Sequence, residues 1–179
     1  MKLLVFAATN HFESINRKLV LHAARVAQEI RPDIEIISLD LNDYEMPIYR
    51  QDREAEGYPP QAQDFLDQIT GVDAVVVSYA EHNGNYTTAY KNLLDWASRI
   101  KRDIFDGKPL VVLSTSPGGR GGTSVLEIAK TAAPHFGADL KGSLPVPLFG
   151  EVFDLETASL TDPDLSARLR DEMARLVAG

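Results

Sequence analysis

Short apolar runs alternate with amphipathic stretches along the whole chain. Residues 2–8 (KLLVFAA), 34–40 (IEIISLD), 74–80 (AVVVSYA), 109–115 (PLVVLST) and 138–146 (ADLKGSLPV) each have the length of a strand. Three of them are nearly all apolar and rich in β-branched residues, the pattern of parallel strands covered on both faces. Helical patterns fill the intervals. The first spans about Ile15 to Glu29 with Ser14 in the N-cap position, and the second about Pro60 to Ile69, where proline suits a first turn. A third, about Thr88 to Arg102, sets Tyr90, Leu93, Leu94, Ala97 and Ile100 on one stripe. A fourth covers about Gly122 to His135. The last, about Pro163 to Val177, spaces Leu165, Leu169, Met173 and Leu176 for one face.

Repeated strand–helix alternation implies right-handed βαβ units and a parallel sheet. At 179 residues the chain is long enough for one domain and too short for two ordinary ones, so residues 1–179 are expected to form a single unit. The predicted fold is α/β: a flavodoxin-like three-layer α/β/α sandwich with a five-stranded parallel sheet in the order 2-1-3-4-5. Residues 42–57 (NDYEMPIYRQDREAEG) carry no clear period and are expected to be a lid or edge loop.

Composition narrows the function. A formal net charge of −8 argues against a nucleic-acid surface, which needs basic patches, and gives no support to an anionic membrane as partner. The absence of cysteine excludes thiol nucleophiles, disulfides and thiolate metal sites. His11, His22, His82 and His135 lack metal-ligand spacing, and His22 and His135 are expected on helix surfaces. No segment approaches the roughly 20 apolar residues of a spanning helix, and a cytoplasmic protein is expected.

In a doubly wound sheet, ligands bind beyond the carboxyl ends of the strands, where the winding reverses. Three loops leave those ends, and each is chemically unusual. The first, ATNHFESINRK, offers Thr9, Asn10, Ser14 and Asn16 just before a helix, a composition suited to an anion site or simply to helix capping. The second holds Glu81, His82, Asn83, Gly84, Asn85 and Tyr86, where Gly84 permits a left-handed turn and asparagine can face a heteroaromatic edge. The third, STSPGGRGG, sets four glycines around Arg120. Rival motifs fail: the first loop has no glycine for a dinucleotide fingerprint, GGRGGTS lacks a phosphate-loop lysine, and no G-x-S-x-G elbow occurs.

Taken in order at these strand ends, SINRKL (14–19), HNG within AEHNGNYTTAYKNLLDW, and SPGGRGG (116–122) resemble the NADPH-dependent FMN reductase family of flavodoxin-like quinone, azo and chromate reductases. Departures are specific. Ala8 and Thr9 stand where the family has glycine and serine, His11 where it has arginine, and Ala80 and His82 where it has proline and tyrosine.

The resemblance implies FMN as cofactor and NADPH or NADH as co-substrate, with Thr9, His11, Ser14 and Asn16 on the phosphate. It implies Glu81, His82, Asn83 and Gly84 at the ring edge, and Ser116, Gly118, Gly119, Arg120 and Gly121 approaching the ring. No side chain is expected to act as an essential acid or base, because the flavin carries the chemistry. The electron acceptor is expected to be small: a quinone, free flavin, azo compound or metal oxyanion. A homodimer or homotetramer is implied, with the helix carrying Trp96 against a partner. The alternatives are a flavodoxin-like electron carrier, or a flavin-free binding or regulatory protein of the same fold.

Overall fold

The computed structural model describes residues 1–178. Along the chain run β1 (Lys2–Ala8), α1 (Ile15–Ile30), β2 (Glu35–Leu39), a 3-10 turn (Leu41–Tyr44), α2 (Gln51–Glu54), α3 (Pro60–Thr70), β3 (Ala74–Tyr79) and α4 (Thr88–Ile100). There follow β4 (Pro109–Thr115), α5 (Thr123–Ala132), a second 3-10 turn (Ala133–Phe136), β5 (Asp139–Val146), α6 (Phe149–Val152), β6 (Phe153–Asp154), β7 (Ser159–Leu160) and α7 (Pro163–Val177). The main sheet is parallel in the order β2-β1-β3-β4-β5, as the alternation predicts.

The period of two along each strand divides the core into two layers. Leu4, Phe6, Val75, Val77, Leu110 and Val112 face α3, α4 and α5, with Phe65, Leu93 and Leu126 among the covering side chains. Leu3, Val5, Val76, Val111 and Leu113 face α1 and α7, covered by Leu19, Ala23, Leu169 and Met173. Each of these side chains is at most 1% exposed. At the roughly 25 cal/mol per Å2 of apolar surface, burial on this scale is what holds a sheet between two helical layers.

Four expectations need correction. Residues 42–57 are not a free lid: Asn92 of α4 donates through Nδ2 to the carbonyls of Met46 (3.2 Å) and Pro47 (3.1 Å), and its Oδ1 accepts the Tyr49 N–H at 2.8 Å. Trp96 faces inward to that segment, not outward to a partner; it is 1% exposed, and its indole N–H donates to the Pro47 carbonyl at 2.7 Å. The fourth predicted helix ends as an α-helix at Ala132, because Pro134 has no N–H to continue the ladder. His22 is half-buried against Phe153 of the small β6–β7 hairpin, its ring centroid 5.9 Å away, and burial lowers its pKa.

Candidate functional site

The loops after β1, β3 and β4 converge on a cleft of about 240 Å3, lined by Thr9, His11, Ser14, Ala80, Glu81, His82 and Ser116, among others. Sheet order dictates the meeting: β3 lies between β1 and β4, so their carboxyl ends are neighbours.

The first loop leads onto the start of α1. Ser14 is the N-cap, its Oγ accepting the Arg17 N–H at 3.2 Å. Thr9 is similarly disposed, its Oγ accepting the His11 N–H at 3.3 Å. Because both hydroxyl oxygens receive backbone protons, both hydroxyl protons remain to be donated to an anion. No acid lies in the first turn of α1. Glu13 also borders the cleft; it is 85% exposed, with its carboxylate 3.4 Å from Lys18, while Arg17 pairs with Asp40. No carboxylate within the first turn of α1 itself therefore offsets the positive end of the helix dipole.

Asn16 behaves otherwise than expected. Its side chain is directed into the sheet: Oδ1 accepts from the Ser78 hydroxyl (2.8 Å) and the Thr115 N–H (3.0 Å), while Nδ2 donates to the Thr115 carbonyl (3.2 Å). At 2% exposed, this amide clamps α1 to the ends of β3 and β4, and where it borders the cleft it is already engaged by the protein.

In the second loop, Asn83 (φ 53°) and Gly84 (φ 75°) form the tip of a two-residue turn, closed by reciprocal backbone bonds of 3.0 Å between His82 and Asn85. Two successive left-handed residues are what this hairpin turn requires, and Asn-Gly is its favoured pair. They shape the turn and leave His82 as its cleft-lining side chain. Thr87 caps α4 and donates to the Ala8 carbonyl at 2.9 Å, tying the second loop to the first. Beneath the turn, Tyr79, Tyr86 and Tyr90 are in mutual ring contact, with centroids 5.2–5.5 Å apart. Burial pushes Tyr86 up to about 12 and Tyr79 and Tyr90 further, so these phenols are uncharged.

The third loop divides in two. Gly118 and Gly119 are exposed, Gly119 with nothing within 4 Å of a Cβ position and Gly118 with only the Ser116 hydroxyl at 3.9 Å; Gly119 and Arg120 line a separate groove and not the cleft. Ser116 and Pro117 form the cleft wall instead. Gly121 corrects the expectation that it approaches a ligand: it is buried with φ 59°, its carbonyl accepts from Ser114 Oγ at 2.7 Å, and a Cβ there would lie 2.7 Å from the Pro147 nitrogen. Glu81 fastens the loop: its Oε2 accepts the Val125 N–H at 3.0 Å, and its Oε1 lies 3.6 Å from the largely exposed Arg120 guanidinium.

Asn92 is a positioning residue that none of the motifs above marks, and Trp96, expected against a partner, works beside it. The visible signal was KNLLDW, where a polar residue and an indole lie one helical turn apart beside an irregular segment.

Three polar loops at the carboxyl edge of a 2-1-3-4-5 sheet define a flavodoxin-like protein. The family model for NADPH-dependent FMN reductases matches residues 1–144, and the chain belongs to that family. Among similar proteins, an NAD(P)H-dependent FMN reductase of Pseudomonas aeruginosa is 38% identical over 83 residues, which cover 46% of this chain and 45% of the relative. A quinone reductase of Pseudomonas putida is 36% identical over 112 residues, 62% of this chain and 57% of the relative. The chain thus spans about half the length of the curated relatives it matches. The solved structure of FerB, a flavoenzyme NAD(P)H:(acceptor) oxidoreductase from Paracoccus denitrificans, is similar over 99% of this chain and 95% of that one, at TM-score 0.76 and 27% identity. Among the described residues, no helix is long and apolar enough to cross a membrane.

Proposed function

We propose that this chain binds FMN in the cleft and acts as an NAD(P)H-dependent oxidoreductase toward a small acceptor. The observation that carries the reading is the start of α1: two hydroxyl protons and a helix N-terminus at one end of a cleft, with no acid in the first turn. The names of the Pseudomonas relatives and of FerB support it.

The residues present fit the cofactor. Thr9, Ser14 and the backbone N–H groups opening α1 would hold the phosphate, with His11 beside them. Ala80, His82, Ser116 and Pro117 would flank the ring system. Bound FMN would supply the redox chemistry that links the nicotinamide to the acceptor. The protein's part is to bind and orient. The exposed Gly118–Gly119 backbone keeps the outer edge of the third loop low, leaving room for a nicotinamide to approach.

Calorimetric titration with FMN and FAD, followed by anaerobic mixing with NADPH or NADH, tests the proposal. FMN should bind more tightly than FAD, and the flavin's visible band should bleach rapidly. Flavin that stays oxidised with either nucleotide, yet is reduced by a chemical donor, would favour an electron carrier.

A further inference from the structure

The short helix α6 and the β6–β7 hairpin form a small module that holds the third loop at one end and rests on α1 at the other. At its start, the Leu148 N–H donates to the Gly118 carbonyl (3.1 Å) and the Phe149 N–H to the Ser116 carbonyl (3.2 Å). The module thus props the loop whose Ser116 lines the cleft. At its far end, Arg25 of α1 donates to the Ala158 carbonyl, and His22 Nε2 accepts the Leu160 N–H at 3.4 Å. Two ring contacts join the ends. The His22 ring meets Phe153 edge-on at 5.9 Å, and Phe153 stacks on Phe149 at 4.6 Å and 19°.

The closed module is held by little. Each strand has two residues, and Leu148 (φ 51°) and Ala158 (φ 53°) adopt left-handed conformations that a Cβ disfavours. Segments with few backbone bonds open locally while the rest of a protein stays folded.

A proton removes one of its two bonds to α1. Nε2 accepts only while the ring is neutral; an imidazolium would turn a donor toward the Leu160 N–H. The charged neighbours do not compensate. Arg25 repels a cation, and Glu29, which favours one, is paired with Arg170 of α7. Asp154 of the hairpin and Asp162 at the start of α7 accept the Glu156 and Leu165 N–H groups. Burial, and then Arg25, hold the His22 pKa below its ordinary value.

We propose that His22 is a proton-operated latch on the wall of the cleft. Neutral, it keeps the hairpin closed and, through Phe153 and Phe149, fixes Ser116; protonated, it frees the module and loosens the wall. Opening returns the ring to the ordinary imidazole value, so acid below about pH 6.5 favours the open form and neutral pH the closed one. The latch needs no flavin. Its consequence, faster loss of FMN in acid, rests on the function proposed above.

Amide hydrogen exchange of the apoprotein at pH 7.5 and 5.5, corrected for the intrinsic rates, reads the latch directly. Protection at Leu148, Phe149 and Leu160 should fall several-fold in acid. His22→Gln, which offers an acceptor that takes no proton, should abolish that fall. Phe153→Leu cuts the ring relay, so the response should persist at Leu160 and vanish at Phe149. FMN release is then timed in wild type and His22→Gln, which share every other titrating group. The wild type should release FMN several-fold faster than the variant at pH 5.5 and at the same rate at pH 7.5.

An acid response that survives in His22→Gln, wild-type protection at Phe149 that acid leaves unchanged, or equal FMN release at pH 5.5 would each overturn the proposal. Failure to bind FMN at either pH would instead refute the functional reading, and the exchange data would still decide the latch.

Discussion

Two long helices start near the cleft, and their first turns are completed in opposite ways. At α1 the N-cap is Ser14, and no carboxylate stands in the first turn. At α5 the N-cap is Gly122, with φ 73° and no side chain to offer, and the missing acceptor comes from Glu81 on the second loop. The positive end of α5 is therefore already met by the protein's own carboxylate, while that of α1 is left to whatever enters. The sequence likewise points the anion to ATNHFES, although that loop carries a glutamate and the glycine-rich stretch carries an arginine. A first turn attracts a ligand's phosphate only where the protein has not already filled it.

The largest effect expected from perturbing this contrast is on stability. Asn16→Ala leaves the Ser78 hydroxyl and both backbone groups of Thr115 without their partner in a region closed to water. Unsatisfied buried groups cost about 1–3 kcal/mol each, so urea denaturation of the apoprotein should show a loss of roughly 3 kcal/mol. FMN and riboflavin affinities should fall together. A selective loss of FMN would return Asn16 to the phosphate and blur the distinction between clamp and ligand.

Ser14→Ala removes a cap and, in the proposed complex, a donor to the phosphate. FMN binding should weaken by about 2 kcal/mol, the range for a hydrogen bond to a charged group. Riboflavin, with no phosphate, should bind almost as before. Apoprotein stability should fall by about 1 kcal/mol from the lost cap.

Glu81→Ala makes the two helix starts alike. It should cost about 1 kcal/mol of stability by orphaning the Val125 N–H, and Glu81→Gln, which keeps an acceptor, should recover most of it. Hydrogen exchange at the start of α5 would check this. Unchanged protection in the alanine variant would mean that Glu81 lies beside the helix without capping it.

The strands and helix stripes were legible from periodicity, because burial imposes a repeat on every residue of an element, whereas the sheet order and the meeting of the three loops followed from the fold class. Side-chain direction within a loop obeys no such repeat. Asn16 turns inward because its partner Thr115, 99 residues along the chain, lies one strand away in space, and no local pattern encodes that. Gly121 and Gly119 are indistinguishable in SPGGRGG, yet one lies against the backbone after β5 and the other against open space. The β6–β7 hairpin has two residues per strand, too few to leave an alternation.

The smallest expected effect separates those two glycines. Gly119→Val adds a side chain with nothing within 4 Å of its first atom and at a backbone conformation outside the left-handed region. Its cost in stability should be no more than about 0.5 kcal/mol, the usual range for an exposed site. Gly121→Ala, smaller chemically, should cost about 2 kcal/mol, because φ 59° disfavours any Cβ and this one meets the Pro147 backbone at 2.7 Å. With FMN bound, Gly119→Val should slow bleaching by NAD(P)H while leaving FMN affinity intact, because it raises the outer edge of the third loop without entering the cleft. An unchanged bleaching rate would place the approach of the nicotinamide elsewhere, while the glycine contrast would still stand on the denaturation curves.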